Sequence, residues 1–262
     1  MEEDEVKKNV ESVFSEIDKF IDSVLKEEKI EERLIDYYTE FYDKMKEKVG
    51  TSSGFFGISE YLFFRAVLRS LEEKLNIQFK EVGSEYNKYW QHDKNGKRTQ
   101  KESNTFSFYS QYQFKIRMTH SISIKQINED LKKSFQNIKR PDIAIIKNDN
   151  ELVAVFEIKI EKVSPSAFEK SIKDFEDLKN LSPRPLIFYI IFWPPEKNKK
   201  KKNRHEGLEL IMEFFNKYND GCEERKAFLI TKFDIDPKGE EIESHLISLN
   251  EAIDKIVEEI KK

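Results

Sequence analysis

The chain of 262 residues has a single cysteine, Cys222. A disulfide framework within the chain is therefore excluded, which fits the reducing conditions of the cytoplasm. Cys222 follows Gly221, the setting of a loop residue rather than of a nucleophile. Long apolar runs are also missing. The longest, Leu186–Trp193, is far too short for the roughly 20 residues that a membrane helix needs. The acidic opening Met1-Glu2-Glu3-Asp4-Glu5 is unlike a secretory leader, so none is expected. No zinc-ligand spacing, Walker loop, dinucleotide fingerprint or internal repeat is visible. Nor is there an excess of positive charge. With 46 Lys+Arg against 50 Asp+Glu the net charge is −4, which by itself gives no pointer to nucleic acid.

What is present is more informative. Charged residues make up 37% of the chain, yet 21 Phe and 10 Tyr supply enough buried area for a packed core. The length suits one large domain, or one domain with an appendage. Charge is spread unevenly. Residues 1–49 hold 9 Lys/Arg against 16 Asp/Glu, a net of −7, and residues 80–140 hold 13 against 6, a net of +7. An acidic start and a basic middle point to different partners for different segments.

Helical spacing of apolar residues runs over 5–27 (Val6, Val10, Val13, Phe14, Ile17, Phe20, Ile21, Val24, Leu25) and again from Ile30 to Lys48. Together these predict an N-terminal helical hairpin over 1–50. It either packs on the rest of the chain or pairs with a second copy in a homodimer. After the break Gly50-Thr51-Ser52-Ser53-Gly54, a third helix is expected from Ser59, as N-cap, to Leu75. A strand follows at 76–82. The next stretch interleaves aromatic and basic residues, among them Lys88, Trp90, Lys97 and Arg98, a pattern that suits stacking on bases and neutralising phosphates. It reads either as a surface loop or as a hairpin with its tip at Asn95-Gly96. Strand-like alternation over Phe106–Met118 and a helix over 124–135 complete a segment, 83–138, read as an insertion. His120 has no ligand spacing around it.

The stretch Arg140–Ile160 (RPDIAIIKNDNELVAVFEIKI) organises the rest. Two short β-branched runs flank a turn-rich connector, which predicts a hairpin. Asp142 opens one strand and Glu157 and Lys159 close the other. Side chains alternate across a strand, so Glu157 and Lys159 share a face while Ile158 points into apolar packing. Two carboxylates and an ammonium at the end of an apolar hairpin suit a divalent cation that keeps some of its waters. In so charged a chain the bland alternative is an exposed ion pair at a strand end; both halves lying in order on one hairpin argue against it.

Pro141-Asp142 followed by Glu157-Ile158-Lys159 resembles the signature of the PD-(D/E)XK nuclease superfamily. The resemblance implies an α/β, restriction endonuclease-like fold: an αβββαβ core over about 59–193 with a central mixed sheet flanked by helices. That domain would occupy 51–262, behind the N-terminal hairpin. It further implies a Mg²⁺-dependent endonuclease, with Mn²⁺ as substitute, that hydrolyses DNA phosphodiesters in restriction or defence. RNA is the other substrate class. Asp142, Glu157 and the Ile158 carbonyl would hold the metal, and Lys159 would position the attacking water. Glu60 matches the acidic residue that the family's opening helix often adds, although Glu is favoured in any first helical turn. A competing class is a subunit of the same fold that binds nucleic acid in repair, transposition or RNA processing with little or no cleavage of its own.

Beyond the motif, Ser164-Pro165 starts a helix carrying Lys170 and Lys173. Those lysines are either matches to a polar site residue of the family or ordinary solvated side chains. Leu186–Trp193 reads as a strand buried on both faces. The basic run Pro194–Arg204, with Lys200 and Lys201, is either a phosphate contact or a solvated loop. A helix over 207–218, a strand over 227–232 and a final helix over 246–261 are expected to close the chain.

Overall fold

A computed structural model of the chain describes residues 3–49, 53–76, 79–92, 98–110, 114–118, 141–147, 151–160, 165–192, 202–231 and 240–262. Three helices come first: α1 (Glu3–Val24), α2 (Ile30–Val49) and α3 (Ser53–Leu75). Val13, Ile17, Ile21 and Val24 form the buried stripe of α1, and Ile30, Leu34, Ile35 and Tyr38 that of α2. Such one-sided stripes belong to helices with one face in the core. Helix α3 differs, because Leu62, Phe63, Phe64, Ala66, Val67, Leu68 and Leu71 bury nearly its whole circumference. It is the inner helix of its layer. Asn76, with φ of 52°, ends it in the left-handed conformation that asparagine tolerates.

Among the described residues seven strands follow in one sheet whose spatial order is their sequence order: β1 (Phe79–His92), β2 (Arg98–Ser110), β3 (Phe114–Met118), β4 (Ile143–Lys147), β5 (Glu151–Ile160), β6 (Leu186–Phe192) and β7 (Ala227–Ile230). The first five pair antiparallel. The last three pair parallel, as strands joined by crossover helices do. The crossovers are α4 (Pro165–Phe175), with a 3-10 turn at Glu176–Asn180, and α5 (Lys202–Asn219). A short α6 (Glu240–Glu243) and α7 (Leu249–Lys261) come after β7. The β7 edge is covered: Leu229 N–H donates to His245 O at 2.9 Å, and Ile247 N–H donates to Leu229 O at 3.0 Å.

The period-2 alternation of the strands divides the core in two. Ile143, Ile145, Phe156, Ile158, Phe188 and Ile190 share one cluster with α1, α2, α3 and α7. Ala144, Ile146, Val155, Ile187, Tyr189 and Ile191 share another with α4 and α5. The molecule is thus α/β, a mixed sheet with helices on both faces, and β6 is buried on both sides, as its continuous apolar run predicts.

Several boundaries differ from the sequence reading. Helix α3 starts at Ser53, so Ser59 is not its cap and Glu60 lies about two turns inside it. A glycine inside a helix costs only about 1 kcal/mol, too little for Gly54 and Gly57 to stop a helix whose following turns are so fully buried. Within the segment read as an insertion, β2 and β3 are members of the sheet, and the aromatic-basic stretch is a strand hairpin. Helix α5 starts at Lys202, ahead of the expected 207. The helix expected at 124–135, and His120, lie outside the described residues. The apolar stripes of α1 and α2 are packed within the chain's own core.

Candidate active site

The β4–β5 hairpin assembles three side chains at one edge of the sheet. Its pairs Ile145–Ala154, Ala144–Val155 and Ile143–Phe156 step outward in constant register, so the next position sets Asp142 opposite Glu157. Ala144 and Val155 face the α4–α5 layer, and alternation places Asp142, Glu157 and Lys159 on that same face. Ile158, between the two charged residues, is 6% exposed and packs on the other side. A direct bond locks the arrangement: Ile158 N–H donates to Asp142 Oδ2 at 2.6 Å. Lys159 Nζ donates to Glu157 Oε1 as an ion pair. Glu157 is 7% exposed. A carboxylate so far removed from water is sustained by a charged partner.

The neighbouring strand supports the pair. Glu157 aligns with Tyr189 of β6. Tyr189 donates its hydroxyl proton to Ser171 Oγ of α4 at 3.2 Å, and Ser171 donates on to Phe168 O at 3.1 Å. The rings of Phe168, Phe175, Phe214 and Phe215 surround Tyr189 at centroid distances of 5.7 to 6.5 Å. Below Glu157 there is thus an aromatic bed of low polarity, where charge interactions are stronger than in water. Sequence reading passed over Tyr189 and Ser171. The available signal was a single hydroxyl inside the run LIFYIIFW, because a buried tyrosine needs a polar partner.

Glu157 and Lys159 lie toward the carboxyl end of β5, and β6 and β7 run parallel to it. Open α/β sheets bind ligands at this end. The other sequence candidates are dispersed. Lys170 and Lys173 are exposed on α4, outside its buried stripe of Phe168, Ser171 and Phe175. Glu60 belongs to α3, in the layer against the opposite face of the sheet. Lys88 and Trp90 are on β1 and Arg98 opens β2, while Lys97, Lys200 and Lys201 lie outside the described residues.

Among the described residues no three His, Cys, Asp or Glu side chains gather as a metal cluster. The donors at hand are two carboxylates from adjacent strands plus backbone oxygen. This hard-oxygen set, short of a full shell, fits an ion such as Mg²⁺ that retains waters. A separate depression of about 420 Å³, lined in part by Asn216, Arg225 and His245, lies at the carboxyl end of α5. Several of its polar groups serve the fold. Asn219 Oδ1 accepts from Lys226 N–H at 2.7 Å and from Ala227 N–H at 3.0 Å, and Arg225 donates to Ser244 O. No helix among the described residues is long and apolar enough to cross a membrane. No protein-family model, curated protein or solved structure matches the chain.

Proposed function

We propose that the chain is a metal-dependent endonuclease acting on DNA, built on a restriction endonuclease-like core. The observation that carries this reading is the convergence of Asp142, Glu157 and Lys159 on one face at one end of the β4–β5 hairpin. Part of the element order supports it: β3, β4 and β5 run antiparallel and are followed by the crossover α4 and by β6 parallel to β5, while β1 and β2 stand between α3 and β3. A restriction or defence role is part of the same proposal, on the analogy of the motif alone.

Asp142 and Glu157, with the Ile158 carbonyl, would hold Mg²⁺ or Mn²⁺. When bound, such an ion lowers the pKa of water and polarises a phosphoryl oxygen. The protein's own part is positional. The Ile158 N–H holds the Asp142 carboxylate against β5, so both acidic groups are fixed by one hairpin. Lys159, two residues from Glu157 on the same face, supplies the positive charge that steadies a phosphate as negative charge builds up on it. The buried aromatic bed around Tyr189 gives the site an apolar floor.

The test is cleavage of plasmid and linear DNA with Mg²⁺ or Mn²⁺. The wild type is expected to cut, and Asp142→Ala and Lys159→Ala are each expected to lose at least about a hundredfold in rate, the scale of removing a charge-stabilising group. Cutting that survives Asp142→Ala would remove the hairpin from the chemistry. A protein that binds DNA and never cuts, across many sequences and metals, would instead be the non-cleaving subunit.

A further inference from the structure

Three side chains stand abreast on the α4–α5 face of the sheet. The β4–β5 register brings Asp142 opposite Glu157, and the parallel pairing of β5 with β6 aligns Glu157 with Tyr189. Neighbouring strands lie about 4.8 Å apart, so aligned residues on one face are in each other's reach. Asp142 therefore flanks Glu157 on one side, and the Tyr189 ring flanks it on the other. Along β5 on the same face, Lys159 donates to Glu157 Oε1. Glu157 is 7% exposed and Tyr189 is fully buried.

The Tyr189 ring is firmly held. Phe168, Phe175, Phe214 and Phe215 enclose it at centroid distances of 5.7 to 6.5 Å. Three of these rings, Phe175, Phe214 and Phe215, meet it edge to face, an arrangement that aromatic pairs favour. Its hydroxyl adds a directional contact, donating to the buried Ser171 Oγ at 3.2 Å. A buried polar pair with its partners in place fixes one arrangement of the packing around it. Glutamate has several rotatable bonds, so a carboxylate at a strand end sweeps a wide arc unless something closes part of it. The Tyr189 ring closes the β6 side. The room that remains lies toward Asp142 and Lys159.

We infer that Tyr189 is a positioning residue of the metal site: its ring, fixed in the aromatic bed, confines the Glu157 carboxylate to the Asp142 side of β5, where the two acids share one cation. The inference rests on the metal-site reading of the hairpin and adds a residue outside the Asp142, Glu157 and Lys159 set. Tyr189 touches neither metal nor phosphate; it acts through Glu157. A ligand held in place before the metal arrives has less freedom to lose when it binds.

The test is titration calorimetry of the full-length protein with Mn²⁺ alone, without nucleic acid. Glu157→Gln identifies the site and is expected to remove the binding heat. Tyr189→Phe keeps the ring in its bed and leaves Ser171 its bond to Phe168 O; it should keep most of the affinity. Tyr189→Leu and Tyr189→Met both remove the ring, and Met fills the gap more adaptably. Each should bind Mn²⁺ at least about tenfold more weakly, the scale on which residues behind a metal's ligands act. Phe228→Leu is the control. Phe228 is a buried aromatic of β7 in the cluster on the other face of the sheet, so its loss lowers stability and should leave Mn²⁺ affinity unchanged. Thermal melts verify which variants fold cooperatively. Wild-type affinity in a folded Tyr189→Leu or Tyr189→Met would overturn the proposal and leave the metal site standing. Equal weakening in Phe228→Leu would do the same, as the mark of lost stability alone. A Tyr189→Phe as weak as Tyr189→Leu would also overturn it, by taking the role from the ring. A wild type that takes up no Mn²⁺, or a Glu157→Gln that takes it up as the wild type does, would remove the metal site and the proposal with it.

Discussion

The Lys159 ammonium and the Glu157 carboxylate hold each other at the edge of the sheet. Glu157 is also the group that would accept a divalent cation, so the two positive charges compete for one carboxylate. Lys159→Met is therefore expected to bind Mn²⁺ at least about fivefold more tightly than the wild type in titration calorimetry, since a charge interaction so far from water is stronger than one at the surface, while losing cleavage. Equal affinity in the two proteins would place the ammonium outside the metal's electrostatic reach. At this scale the proposed site was legible because its residues lie on contiguous chain. Asp142, Glu157 and Lys159 are brought together by a single hairpin, and its turn and alternation were readable. Ser171 and Tyr189 were not, because their contact joins a helix to a neighbouring strand and no local pattern encodes that meeting.

Among the elements, α2 and α7 are tied through an acidic side chain. Leu249 N–H, at the start of α7, donates to Glu31 Oε2 at 3.1 Å, and Glu31 is 5% exposed. Ser248 and Glu251 form a capping box on the same helix end. Burial, the largest cause, pushes the Glu31 carboxyl above its usual range; the hydrogen bonds from its own backbone N–H and from that of Leu249 act the other way. A carboxyl whose pKa is raised by folding binds its proton more tightly when folded. Its contribution is fully present below the ordinary carboxylate pKa and is lost as pH rises through the raised value. Glu31→Gln keeps an oxygen for the Leu249 N–H and cannot ionise. Urea melts of the two proteins should therefore diverge as pH rises from 4 to 7, with the variant gaining relative to the wild type. A constant gap would mean that Glu31 ionises freely in the fold. Sequence periodicity located the helices α1, α2 and α7 closely and missed where α3 begins, since its early glycines signal a break only when local propensity decides, and burial decided instead.

For the molecule as a whole, the N-terminal helices are a wall of the core. Phe14 stacks on Tyr61 at 4.0 Å, Arg65 Nε donates to Asp18 Oδ1 at 2.7 Å, and the stripes of α1 and α2 share one apolar cluster with the sheet. A chain consisting of residues 50–262 would leave uncovered the side of Tyr61–Leu71 of α3 that packs on α1 and α2. It is expected to aggregate or to melt without a cooperative transition, as judged by gel filtration and circular dichroism. A monomer that melts as sharply as the full chain would make the helices an appendage. The acidic, amphipathic hairpin was legible from its spacing. Its place against α3 was not, because an apolar stripe does not name its partner.

The sheet grows strand by strand in chain order, so during synthesis each strand can join the one before it. Helix α7 breaks that sequence. It follows every strand, yet packs on α2, α3 and β5, and its first amide meets Glu31 across 218 residues. Closing so long a loop is slow next to local pairing. A nascent chain that has not reached Leu249 leaves apolar residues of α3 and β5 without their cover. Completion of the core therefore waits for this thirteen-residue helix to emerge, and chains terminated before it are expected to keep that apolar surface open to water.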